Sequence, residues 1–292
     1  MLQEKDHSGA TPVMAANIAK TAGIVIGSVA CFIAASIIGS IICRNAEITG
    51  YKAQFITGII SLVLYVVILV LLKKTKVLTT KGNGFFGGLF TGGFMIYASI
   101  AAVISSLFLS SEDGKTEFII PKDLTFGSEQ VWCILALTLA AGICEELLFR
   151  GIIFNTLRDL FGRDTEMGTI AAIVTSGVLF GLYHLLNLVS GVDISAVLPQ
   201  VASTAALGIF LAAVYARWGN IWVTVFLHAL MDICVVLPNS MKTNENIVES
   251  INNTMADNSK YLGVIIYIIL AMILLRKDKR PQMFTYSVCD DR

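Results

Sequence analysis

Apolar stretches of ~20 residues, each long enough to cross a bilayer as a helix, recur from one end of this chain to the other. They fall at about 22–43, 53–72, 85–110, 131–157, 169–190, 195–216, 219–238 and 261–275. Hydrocarbon offers no partner to a free peptide group, so continuous apolar runs of this length cross it as helices. With 55% apolar and 14% charged residues, the chain has too little polar surface for a water-soluble domain. The expected fold is all-α, a polytopic bundle of about eight transmembrane helices. No repeat or linker divides it, so residues 1–292 are expected to form one membrane domain, with 1–130 supplying its N-terminal helices. The first stretch is longer than a signal-peptide core and lacks the flanks of one, so it is expected to stay in the mature protein.

Charge orients the bundle. Lys73, Lys74, Lys76 and Lys81 follow the second stretch, Arg158 and Arg163 the fourth, Arg217 the sixth, and Arg276, Lys277, Lys279 and Arg280 the eighth. The other side receives Arg44, Lys52, Lys115, Lys122, Lys242 and Lys260, so the positive-inside rule places both termini in the cytoplasm. Residues 111–130 and 239–260 then read as outer loops. The first three stretches carry no motif. A net charge of zero and the lack of a long basic run give no reason to expect a nucleic-acid partner; the lipid bilayer is the expected surrounding. Of six cysteines, five lie in apolar runs and none forms a CxxC pair, so they read as small core residues. Cys289, four from the end, is followed by two aspartates and is no prenylation signal.

Glu145-Glu146-Leu147-Leu148-Phe149-Arg150 interrupts this pattern. A charge at the bilayer centre costs from ~3 to above ~10 kcal/mol and survives only when paired or facing a polar cavity. Glu146 and Arg150 are four apart and share a helix face, which by itself fits a structural ion pair. Glu145, rotated by ~100° on an α-helix, has Gly142, Ala141, Leu148 and Phe149 three and four residues away, so its partner must come from elsewhere. Two later stretches supply candidates: Phe180 and His184 on the fifth, His228 and Asp232 on the seventh. The third histidine, His7, lies in the polar N-terminal tail. A lone histidine on an apolar helix is by default a core residue. Two imidazoles, two carboxylates, an arginine and an aspartate on three helices can instead satisfy one another around a water-filled cavity.

The ordered set Glu145-Glu146-x-x-x-Arg150, Phe180-x-x-x-His184 and His228 with a polar residue four later resembles the CaaX-processing and bacteriocin-processing intramembrane endopeptidases. The resemblance covers about residues 131–238, the expected catalytic core. It implies hydrolysis of a peptide or protein substrate at the membrane. Glu145 and His184 would hold and deprotonate a water, Glu146 and Arg150 would orient the site, Phe180 would pack under His184, and His228 would stabilise the oxyanion. The family usually has asparagine where this chain has Asp232. A carboxylate serves there when protonated, or when it accepts the second N–H of His228. The resemblance to bacteriocin-processing proteins makes a bacterial cell membrane the expected location.

Two other readings stay open. No cofactor is expected, but Glu145, His184 and His228 are legitimate zinc ligands, with Asp232 beside them or among them, and no H-E-x-x-H is present. The same polar core could also bind a peptide without chemistry, as in an immunity protein. Counting ~1.5 Å per residue from the assumed edges sets Glu145 and His184 a turn or more apart in depth. Their convergence then needs shifted edges or strong tilt.

Overall fold

The computed structural model describes residues 10–79, 84–112, 115–121, 123–243, 247–255 and 260–285. His7, Lys81, Lys122 and Cys289 lie outside them. The chain begins with α1 (Ala10–Asn45), α2 (Gly50–Leu71), the single turn α3 (Lys76–Thr79), α4 (Gly84–Thr91) and α5 (Gly93–Phe108). A hairpin of β1 (Leu109–Glu112) and β2 (Lys115–Phe118) follows. The long helix Ser128–Phe161 starts as α6 (Ser128–Ala136), becomes π-helical over Leu137–Glu145 and Leu147–Phe154, and ends as α7 (Asn155–Phe161). Then come α8 (Glu166–Tyr183) with a 3-10 turn at His184–Leu188, α9 (Ile194–Trp218), α10 (Ile221–Thr243), α11 (Ile247–Met255), α12 (Lys260–Leu274) and α13 (Gln282–Thr285).

The expected helix bundle is observed, with a lower span count. Among the described residues six helices are long and apolar enough to cross a membrane, seven when α4 and α5 are taken as one bent span. The expected eighth span is α12, whose 15 residues reach only ~22 Å against a hydrocarbon core of ~30 Å. The third stretch is not straight: α4 and α5 meet at 56° across Gly92. A Cβ on Gly92 would collide with Leu227 of α10, so the bend sits where the neighbouring helix comes too close for any side chain. The two expected outer loops also carry structure. Residues 109–112 pair with 115–118 as the hairpin, whose four-residue strands are too short for a legible alternation. Within 239–260, α10 runs on to Thr243 and α11 packs Val248 and Ile251 onto Val192, Ala196 and Val197. Its polar Asn and Ser residues conceal an amphipathic helix.

Cross-links between elements define the two ends of the bundle. At one, Lys74 pairs with Asp159 (2.6 Å) and Arg280 with Glu166 (3.3 Å). At the other, Gln130 donates to the Ser240 carbonyl (2.9 Å), Ser106 bonds to Asn239 (3.0 Å), and the Thr125 amide donates to the Met241 carbonyl (2.9 Å). Helix α2 and the helix Ser128–Phe161 therefore run parallel, and the Cys144 thiol sits 3.3 Å from the Gly58 carbonyl between them.

Helix α9 is the buried core of the bundle and α8 lies directly on it. Gly177 and Gly181 make this possible: a Cβ on Gly181 would stand 2.5 Å from the Val201 carbonyl, and one on Gly177 would meet the backbone of Ile209. Small residues four apart on one face are the usual device by which helices in lipid approach backbone to backbone. Gly177-x-x-x-Gly181 flanks Phe180, so the same close approach delivers Phe180 and His184 to the centre of the molecule.

Candidate active site

Glu146 is the hub. Its Oε1 accepts from Arg150 Nη1 at 2.8 Å and from His228 Nδ1 at 2.9 Å, and it is fully buried. Arg150, 1% exposed, also donates from Nη2 to the Gly208 carbonyl at 3.2 Å, and its guanidinium lies 4.8 Å from the centre of the Phe180 ring. A buried charge persists when opposite charge and hydrogen bonds replace its water, and here four helical elements contribute to doing so. The ion pair expected from the four-residue spacing is present, although the helix is π-helical on both sides of Glu146, with i→i+5 bonding that spacing alone did not indicate.

His228 turns its other nitrogen outward. Nε2 lies 3.9 Å from Glu145 Oε2 and 3.7 Å from Asp232 Oδ2. These two carboxylates are 20% and 33% exposed where Glu146 is 0%, which separates the groups that reach solvent from the one that holds the scaffold. His184 Nδ1 is 2.9 Å from the Phe180 carbonyl. A carbonyl only accepts, so Nδ1 carries the hydrogen and a neutral ring keeps an acceptor lone pair at Nε2. Phe180 packs edge-on to both imidazoles, with centroids at 5.0 and 5.6 Å. It supports His184 as expected, and Arg150 and His228 as well.

Glu145, His184 and Asp232 line one cavity of ≈ 760 Å³. The depth mismatch expected from the sequence does not occur. Counted from the turn at 162–165 that joins α7 to α8, Glu145 and His184 lie a similar number of residues along their helices, and both reach the same cavity. The assumed helix edges caused the discrepancy. All six ionisable candidates, Glu145, Glu146, Arg150, His184, His228 and Asp232, thus surround one centre. Among the described residues no three His, Cys, Asp or Glu side chains are arranged to hold a metal ion. Cys31, Cys43, Cys133, Cys144 and Cys234 are unbridged.

The opposite wall comes from α1 and α2, to which the sequence reading assigns nothing. Gln54, Thr57, Gly58, Ser61 and Tyr65 of α2 all line the cavity. Their spacing of three and four is the periodicity of one helix face, and a polar stripe on an otherwise apolar helix is a signal the sequence does contain.

Residues 127–234 match the family model described as type II CAAX prenyl endopeptidase Rce1-like. The chain is also similar to the protein described as "Putative membrane peptidase YdiL" of Bacillus subtilis (strain 168). The two are 28% identical over 200 residues, 63% of this chain and 72% of that protein.

Proposed function

We propose that the chain is an intramembrane endopeptidase of the CaaX-processing type that works with a water held by Glu145 and His184, a reading supported by the match of residues 127–234 to the Rce1-like family. The observation that carries this reading is the convergence of Glu145, His184 and Asp232 on one cavity, in front of the buried Arg150–Glu146–His228 chain.

In this mechanism a water in the cavity donates one hydrogen to His184 Nε2 and yields a proton to Glu145. The resulting hydroxide attacks the peptide carbonyl carbon, and the carbonyl oxygen gains negative charge. An imidazole with carboxylates at both nitrogens is arranged to donate from both, and His228 Nε2–H meets the oxyanion. A donor aimed at that charge contributes ~3–4 kcal/mol. Glu145 then returns its proton to the leaving amine, and acid and amine products are released with Glu145 ionised again. Glu146 and Arg150 hold His228 in place. The substrate is a peptide or protein segment that reaches the membrane, and no cofactor takes part.

Purified protein challenged with a panel of fluorogenic peptides, with and without a chelator, tests this reading. Cleavage that survives the chelator is expected. Loss of cleavage that zinc restores would replace the reading with a metalloprotease. Absence of any cleavage would leave a peptide-binding scaffold.

Asp232 provides a finer test. Beside an oxyanion an amide donates whatever the pH, whereas a carboxylate donates only when protonated, so Asp232→Asn is expected to keep or raise turnover near neutral pH. Turnover lost together with bound zinc, measured by elemental analysis, would instead mark Asp232 as a ligand. The lysine- and arginine-rich end is proposed to be cytoplasmic and to carry both termini, since α12, although short, is followed by Arg280, which meets Glu166 at that end. Single cysteines at Lys76 and Asn252, in a background without native cysteines, should react with an impermeant maleimide from opposite sides; same-side labelling would refute this orientation.

A further inference from the structure

We infer that the polar face of α2 is the wall on which an extended substrate backbone lies, with Tyr65 and Gln54 as its two hydrogen-bonding points. The inference rests on the proteolytic reading above and extends it to how the peptide is held.

Helix α2 is strongly apolar, yet the side chains it turns inward at 51, 54, 58, 61 and 65 include no aliphatic one. A purely structural helix in lipid would fill this face with leucine, valine or alanine. Two of its polar atoms, the Tyr65 hydroxyl and Gln54 Oε1, are buried without a hydrogen-bond partner. Tyr65 is 1% exposed and belongs to the cavity lining together with Glu145. An orphaned polar atom of this kind costs ~1–3 kcal/mol, and on the wall of a cavity a bound ligand can offset that cost. The neighbouring hydroxyls differ: Thr57 and Ser61 already donate to the carbonyls one turn back, at 3.0 and 3.1 Å.

The chemistry of the two orphans is complementary to a peptide. A hydroxyl donates to a backbone carbonyl, and an amide oxygen accepts from a backbone N–H. Eleven positions on a helix span ~16 Å, the length of about five residues of extended chain. Because α2 runs parallel to the helix that carries Glu145, with Cys144 against Gly58, the catalytic groups face α2 between Gln54 and Tyr65. The peptide would therefore be gripped on both sides of the bond to be cut. Recognition through the backbone leaves side-chain choice to the rest of the cavity.

The test uses the full chain and the peptide from the fluorogenic panel that the wild-type protein cleaves fastest. Tyr65→Phe and Gln54→Met should each raise KM by about three- to tenfold, the worth of one ordinary hydrogen bond, with kcat changed less. Both should unfold at or above the wild-type temperature, since each change removes a buried polar atom that has no partner. Peptides N-methylated one position at a time should identify a single amide whose methylation raises KM in the wild-type protein and has no further effect in Gln54→Met. Unchanged KM in both variants, with cleavage intact, would overturn the inference and leave the proteolytic reading standing. A wild-type protein that cleaves no peptide would remove both.

Discussion

Glu145→Gln and His184→Ala should each reduce peptide cleavage to background while the protein still inserts, purifies and unfolds near the wild-type temperature. General acid–base catalysis by a positioned side chain contributes ~10²–10⁴-fold, so a loss of at least ~100-fold is the expected size. The fold should tolerate both changes for a structural reason. Glu145 faces the cavity, and the groups near it, His228 and Arg150, are already held by Glu146. His184 anchors through a single bond to a carbonyl of its own helix. Fluorogenic cleavage and thermal unfolding in detergent, measured on the same preparation, are sufficient. A purified Glu145→Gln protein as active as wild type would sink the assignment of the water to this carboxylate.

Arg150→Ala should behave differently, losing stability and activity together. Removing one member of a buried pair leaves the other uncompensated and costs ~3–5 kcal/mol. Here the substitution also removes the Nη2 bond to the Gly208 carbonyl and the stacking on Phe180, two contacts that tie α9 and α8 to the central helix. A lowered unfolding temperature and poor yield are expected. Arg150→Lys should recover little, because a single ammonium cannot reach Glu146 and Gly208 at once in the geometry of a planar fork. The double variant Glu146→Gln, Arg150→Met should regain part of the stability, since no charge is left unpaired, and none of the activity, since His228 loses its carboxylate. An Arg150→Ala protein that unfolds with wild type would show that the pair is not a structural anchor.

The two outcomes divide the six ionisable residues by role, and that division is visible in their exposure. Glu145 and Glu146 are adjacent in sequence and alike in chemistry, but one reaches the cavity and the other is sealed behind it. Nothing in the local sequence distinguishes them except the arginine four residues on.

Much of this was legible in the chain itself. Apolar runs of ~20 residues exclude every architecture but a helix bundle, and charges inside such runs are costly enough to mark the site without any structure. Glu146 with Arg150, and His228 with Asp232, could be paired from helical spacing because such neighbours on one helix are local in sequence. What lay beyond local spacing came from packing. The bond from His228 to Glu146 spans 82 positions, and no periodicity encodes it. It exists because Gly142 lets α10 press close to the helix that carries Glu146: a Cβ there would stand 2.8 Å from that of Ala229, the neighbour of His228. The bend at Gly92 and the helix hidden in the polar segment after α10 likewise depend on which surface each residue meets. Helix existence follows from hydropathy, a property of single residues summed over a window. Relative depth, tilt and the meeting of side chains follow from close contact between helices, which arises only once the whole bundle is assembled.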